Sequence, residues 1–289
     1  MKRALKSVLG PVGLYLATAR RILRARGLRG LGTRLGTADD RLVFVVGCPR
    51  SGTTFLAGVL GSLPGFVDLT EVTPHKAAIP TLVGLPEAEA ARRIRRTLDR
   101  VRAFALVRGL RAVEQTPETA FVLAPALRAY PTARAVHIIR DGRDVACSLL
   151  ERGWLSAGRA GPDDARLAYG AGARLWVDPQ RAAEFEAASE ATRAGWAWRA
   201  YVTAARSLDD PRVLEVRYEA LAADPAGAAA RIAAHLDVDS ETLAVALGRF
   251  HDRSIGRYRS DLDDAQLAEL ESEEGPLLRE LGYEQEDPT

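Results

Sequence analysis

The residues best placed to do chemistry lie in Val43 to Thr54, VFVVGCPRSGTT. Gly47 and Gly52 are separated by four residues, Arg50 is the cation inside the loop, and Thr53 and Thr54 open the next segment. β-branched and aromatic residues run into this turn, so the pattern reads as strand, tight loop and helix N-terminus. Unpaired N–H groups at the start of a helix, together with its dipole, attract anions, and glycines let the backbone close on a phosphate. The spacing is that of the phosphate loop G-x-x-x-x-G-K-[ST] with Thr53 where the lysine stands. Nucleoside triphosphate chemistry uses that lysine on the β/γ-phosphates and the next hydroxyl on Mg²⁺. Its absence points to a less charged group in transit, and a strand-to-helix turn without a ligand is the alternative.

A second anion site is readable further on. Ala133 to Ile139 is a nearly continuous apolar run, the signature of a strand buried on both faces of a parallel sheet. It ends in Arg140, and Asp141 to Asp144 turns the chain into a helix that carries Ser148 on the same face as Asp144. Arginine supplies a bidentate fork and serine a hydroxyl, a set suited to a phosphate monoester. Both sites fall at carboxyl ends of parallel strands, where open α/β sheets place ligands. Two such sites call for a ligand with two separated phosphate groups, and ATP would leave the second without a partner.

The run P-R-S-G-T-T after a strand resembles the 5′-phosphosulfate loop of sulfotransferases that use 3′-phosphoadenosine 5′-phosphosulfate (PAPS), among them bacterial carbohydrate or small-molecule enzymes and tyrosylprotein enzymes. The resemblance extends over about residues 42 to 284. It implies donor contacts from Arg50, Ser51, Gly52, Thr53 and Thr54, a 3′-phosphate site at Arg140 and Ser148, a tyrosine at Tyr218 in the V-R-Y-E run, and a basic aromatic loop with Arg257 and then Tyr258 over the nucleotide. It also implies a base after the first helix. Glu71, 21 residues after Arg50, has the spacing similar to tyrosylprotein enzymes, with His75 and a water relay as rivals. Many relatives carry E-K-T-P where this chain has Glu114-Gln115-Thr116-Pro117, so the role of that lysine is absent or moved. The implied reaction is in-line sulfuryl transfer from PAPS to a hydroxyl acceptor such as a sugar, glycolipid or other small molecule, with Arg50 and Glu71 catalytic and no metal. A small-molecule P-loop kinase and a catalytically inactive PAPS-binding protein are the alternatives.

Positioning these groups requires an α/β fold: three layers, P-loop NTPase-like, with a central parallel sheet of about five strands flanked by helices. Strands are expected near 43–46, 66–69, 111–114, 133–139 and 212–218. With 289 residues and 47% apolar composition, residues 41–289 form a single domain behind a basic helical segment, 1–40. Residues 1 to 41 carry +8 and the remainder −6, and the net +2 gives no case for nucleic acid. The apolar run Val8 to Ala19 is too short to span a bilayer and Pro11 should break or kink its helix. Domain capping or a frayed terminus is preferred over contact with a membrane surface. Cys48 and Cys147 lack metal-ligand spacing and imply a reducing, cytoplasmic setting, and the Ala, Arg and Gly usage is that of a high-GC bacterium. The arginines of 85–110 are expected on a solvated face, His137 and the aromatics of 195–208 in the core, the acidic helix 263–281 as a solvated lid, and 151–194 as the acceptor-side wall.

Overall fold

Every residue of Val43–Val46 is buried, because the strand is covered on both faces and must be apolar throughout. In the computed structural model this strand, β1, is central to a five-stranded sheet of order β2-β3-β1-β4-β5. β2 is Phe66–Asp68, β3 Arg111–Glu114, β4 Arg134–Ile139 and β5 Val213–Arg217, and every neighbouring pair is parallel. Register pairs Val46 with His137 and Ile139 with Arg217, which brings the carboxyl ends of β1, β4 and β5 to one rim. Residues 2–27, 37–155, 177, 179–248 and 253–283 are described.

The helices are α1 Lys2–Arg26, α2 Thr53–Gly61, α3 Thr73–Leu82, α4 Glu87–Phe104, α5 Leu123–Ala129, α6 Gly142–Glu151, α7 Ala182–Ala187, α8 Glu190–Arg206, α9 Ala220–Ala223, α10 Pro225–Leu236, α11 Ser240–Leu247, α12 Tyr258–Asp261 and α13 Asp264–Glu280. Alternation along β1 divides the core in two. Phe44 and Val46 join the cluster under α4, α5, α6 and α8, while Val43 and Val45 join the cluster under α2, α10 and α11. The result is the expected three-layer α/β architecture.

Three expectations are corrected by packing. α1 runs unbroken through Pro11; Thr18, Ala19, Ile22 and Arg26 are buried, so docking of its last turns against α3 and α4 sets its course. The arginines of α4 do not form one solvated face: Arg102 is fully buried and donates to the carbonyls of Asp39 and Arg108, and Arg95 pairs with Asp40 at 2.5 Å. Those two forks pin the segment that enters β1. α13 is not a solvated lid, since Leu270, Glu274, Gly275 and Leu278 are buried against α8 and α6. Burial raises the pKa of Glu274 well above the carboxylate range. Its ends were legible, with an Asp263–Gln266 capping box and Gly282 at φ 70°. His137, Trp196, Trp198 and Tyr201 lie in the core as expected. Residues 28–36 of the basic segment and 156–176 of the expected acceptor wall lie outside the described residues.

Candidate active site

The loop between β1 and α2 is shaped by backbone geometry that few side chains permit. Gly47 has φ 154° and a Cβ there would stand 2.4 Å from the Ile138 carbonyl oxygen; Gly52 has φ 95° and its Cβ would strike the Tyr218 ring at 2.7 Å. Arg50 adopts φ 76°, a left-handed conformation that costs an arginine about 1–3 kcal/mol. The Ser51 amide donates to the Cys48 carbonyl at 3.0 Å, and Gly52 then caps α2 without any side-chain cap. The first N–H groups of α2 are thereby left for a ligand.

Arg50 and Arg140 converge here from β1 and β4. Arg50 Nε donates to Ser148 Oγ at 2.9 Å, and Arg140 donates to the carbonyls of Arg50, at 3.1 Å, and of Ser254. Arg140 lies over the Tyr218 ring with its guanidinium carbon 4.8 Å from the centroid, and its Nη2 is 3.8 Å from Asp144 Oδ2. Asp144 in turn accepts from the amides of Gly256 and Tyr258, which ties the loop before α12 to α6. Tyr218 completes the frame through its hydroxyl, 3.0 Å from Ser254 Oγ.

These residues open onto a cavity of about 510 Å³ lined by Arg50, Gly52, Thr53, Thr54, Phe55, Arg140, Tyr218, Arg253 and Ser254. That volume is in the usual range for a small-molecule site, about 300–1,000 Å³. Six of the residues singled out from sequence line it together. Ser51 is buried beneath, with its hydroxyl unpartnered, and Ser148 is engaged by Arg50, so the two anion sites meet in one arginine–serine contact. Arg257 points elsewhere, pairing with Asp261 at 2.6 Å and Glu151 at 3.2 Å. Arg253 and Ser254 take the loop's place at the cavity, and sequence reasoning missed both because the alignment of that loop rests on three-dimensional closure.

Beyond the other side of α2 lies a polar cluster of a different kind. Thr54 Oγ1 donates to Gln115 Oε1 at 3.3 Å, and the next residue, Thr116, accepts from the Val72 amide at 3.1 Å. This stitches the phosphate loop to the Glu71 turn across the ends of β3 and β2. Glu71 is one-third exposed and pairs with Lys76 Nζ at 2.6 Å; Lys76 also faces Glu118 at 3.8 Å. Burial pushes Glu118 up to about 7, with Lys76 pulling it down. Glu114, fully buried, is likewise raised by burial to about 7, opposed by its bonds to Thr116 and Thr119. His75 is fully buried, 3.0 Å from Thr119 Oγ1, and burial lowers its pKa to about 4. A histidine so enclosed has no path to an acceptor. Lys76 was missed, though its signal was present: it is the only lysine after Lys6 in a chain with 40 Lys and Arg.

Both cysteines are buried and free, and burial raises both thiols, Cys147 to about 12. Among the described residues no group of acidic, histidine or cysteine side chains has the arrangement to hold a metal, and no helix is long and apolar enough to cross a membrane.

A central parallel sheet between two helical layers, with a phosphate loop and a second arginine at the adjacent strand end, defines a P-loop NTPase-like fold. The profile of the sulfotransferase family matches residues 85–242, more than half of the chain, and the chain belongs to that family. No curated protein matches. Similar solved structures include the sulfotransferase domain of the Synechococcus PCC 7002 olefin synthase, at 16% identity over 83% of this chain and 96% of that one, TM-score 0.49. Mouse sulfotransferase SULT7A1 complexed with PAP has 16% identity over 87% and 92%, TM-score 0.48. The sulfotransferase from Alicyclobacillus acidocaldarius has 18% identity over 83% and 94%, TM-score 0.46.

Proposed function

We propose that this sulfotransferase takes its sulfuryl group from PAPS and delivers it in line to a hydroxyl of a sugar, glycolipid or other small molecule, with Glu71 as the base. The observation that carries the reading is that one cavity has the phosphate-loop residues along one part of its lining and Arg140, Tyr218 and Ser254 along another. A nucleotide with phosphates at both its 5′ and 3′ positions suits both parts. The glycine turn supports the fit, because a Cβ at Gly47 would clash with the Ile138 carbonyl and one at Gly52 with the Tyr218 ring, so the loop keeps a bare backbone at both positions. So does the neutral Thr53 in the place of a lysine, which leaves Arg50 as the loop's cation.

The donor supplies the activated sulfuryl group. Arg50 and the N–H groups at the start of α2 draw the charge that develops on the departing 5′-phosphate oxygen. Arg140, oriented by Tyr218 and two backbone carbonyls, holds the 3′-phosphate with Ser148 beside it. Glu71 accepts the acceptor's proton as attack proceeds, its carboxylate held 2.6 Å from Lys76 Nζ. Lys76 is the cation paired with this carboxylate, in a chain where Gln115 stands at the E-K-T-P position.

The test is a melting-temperature comparison of the full chain alone, with adenosine 3′,5′-bisphosphate and with ATP plus Mg²⁺. The bisphosphate at about 100 times its Kd stabilises the native state by about 2.7 kcal/mol, and ATP with Mg²⁺ should give a smaller shift. A shift from ATP with Mg²⁺ alone would sink the proposal in favour of a kinase.

A further inference from the structure

The turn that carries Glu71 is held in a conformation its own residue disfavours. Thr70 has φ 58°, in the left-handed region, and a β-branched side chain is among the poorest choices there. Local contacts account for part of this geometry: the Thr70 amide donates to Asp68 Oδ1 at 2.6 Å and the Leu69 amide to the Val113 carbonyl at 2.8 Å. The rest comes from far away in the chain. Arg21, on α1, donates from Nε to Thr70 Oγ1 at 2.8 Å and from Nη2 to the Glu71 carbonyl. Its neighbours Thr18, Ala19 and Ile22 are buried, so the direction of Arg21 is set by the docking of α1 and not by the turn it grips. Glu71 is then held at both ends, its backbone by Arg21 and its carboxylate by Lys76.

We propose that Arg21 is a positioning residue for sulfuryl transfer: its fork stabilises the left-handed Thr70 and thereby aims the Glu71 carboxylate at the acceptor hydroxyl. α1 is on this account part of the catalytic apparatus and not an appended basic segment. The inference rests on the reading of Glu71 as the base.

The experiment compares Arg21→Gln, Arg20→Gln, Glu71→Gln and the double variant Arg21→Gln with Thr70→Asn. The readouts are kcat and KM for PAPS with a panel of phenol and sugar hydroxyls, and amide hydrogen exchange across residues 69–73 with adenosine 3′,5′-bisphosphate bound. Arg21→Gln should lower kcat by about 10- to 100-fold, the scale of a misplaced reacting group, while KM for PAPS stays at the wild-type value and exchange at the turn accelerates. Arg20 is exposed on the same helix, and its variant should behave as wild type. Asparagine accepts the left-handed region, so Thr70→Asn in the Arg21→Gln background should restore most of kcat and slow the exchange again. Wild-type kcat and exchange in Arg21→Gln would overturn the proposal. Loss of donor affinity and melting temperature together, without recovery by Thr70→Asn, would make Arg21 a fold anchor and overturn it equally. Full activity in Glu71→Gln would remove the base reading itself, and exchange at the turn would still decide whether Arg21 holds it.

Discussion

The two sides of the site solve different problems with different chemistry. The proposed donor side, from Gly47 to Phe55 with Arg140, Tyr218 and Ser254, is built from backbone amides and from arginines that follow β1 and β4. Arginine stays charged at any working pH, so this side is a fixed electrostatic frame. The proposed acceptor side, from Thr70 to Lys76 with Glu114 and Glu118, sits beyond β2 and β3 and is rich in carboxylates, of which two are pushed by burial to about 7. Holding a nucleotide calls for constancy, and removing a proton calls for groups that titrate. The difference implies that pH and mutation should separate the two sides cleanly.

The largest effect should come from Glu71→Gln. It removes the proposed base and should lower kcat by about 10²- to 10⁴-fold while leaving the affinity for adenosine 3′,5′-bisphosphate unchanged in calorimetry. Equal loss of affinity would erase the distinction between the sides.

Next is the pH dependence of stability. Glu118 has a folded pKa of about 7 against an ordinary 4.5, so the native state holds its proton more tightly than the unfolded chain. Its contribution is therefore fully present below pH 4.5 and is lost as pH rises through about 7. Denaturant unfolding of Glu118→Gln should lack this decline, up to about 3 kcal/mol between those limits. A parallel pair of stability curves would show that folding leaves the Glu118 pKa unshifted.

Arg140→Ala should act on the other side. A charge-assisted contact is worth about 1.5–3 kcal/mol, so binding of the bisphosphate should weaken by roughly 10- to 150-fold with kcat at saturating PAPS little changed. The smallest effect distinguishes two neighbours in one loop. Arg257 is paired with Asp261 and Glu151 at the surface whereas Arg253 lines the cavity, so Arg257→Ala should weaken nucleotide binding less than Arg253→Ala. The reverse order would restore Arg257 as the donor contact.

The legible parts of the molecule are those whose causes are contiguous. β1, the glycine turn and α2 occupy neighbouring residues, and the same holds for β4, Arg140 and α6. In each, side-chain pattern, backbone freedom and helix start lie within one window. All five strands fall where they were expected, although only 43–46 and 133–139 stand out as apolar runs. The misreadings have the opposite character. Arg102 and Glu274 look like surface charges on helices, and only the segments packed over them explain their burial.

By itself the sequence determined the sheet, the phosphate loop, the second arginine and the position of Glu71, because strand burial, left-handed glycines and helix starts are local in the chain. Only the tertiary structure decided what surrounds Glu71. Arg21 lies 50 residues before it and Glu118 meets it through Lys76, and such contacts are set by how α1 and α3 dock on the sheet. It likewise decided that Arg253 and not Arg257 faces the cavity, since the fold of that loop depends on Asp144, more than a hundred residues away. Hydrophobic packing brings such residues together without leaving a periodic trace, so their partnership is written in the fold and not in the spacing.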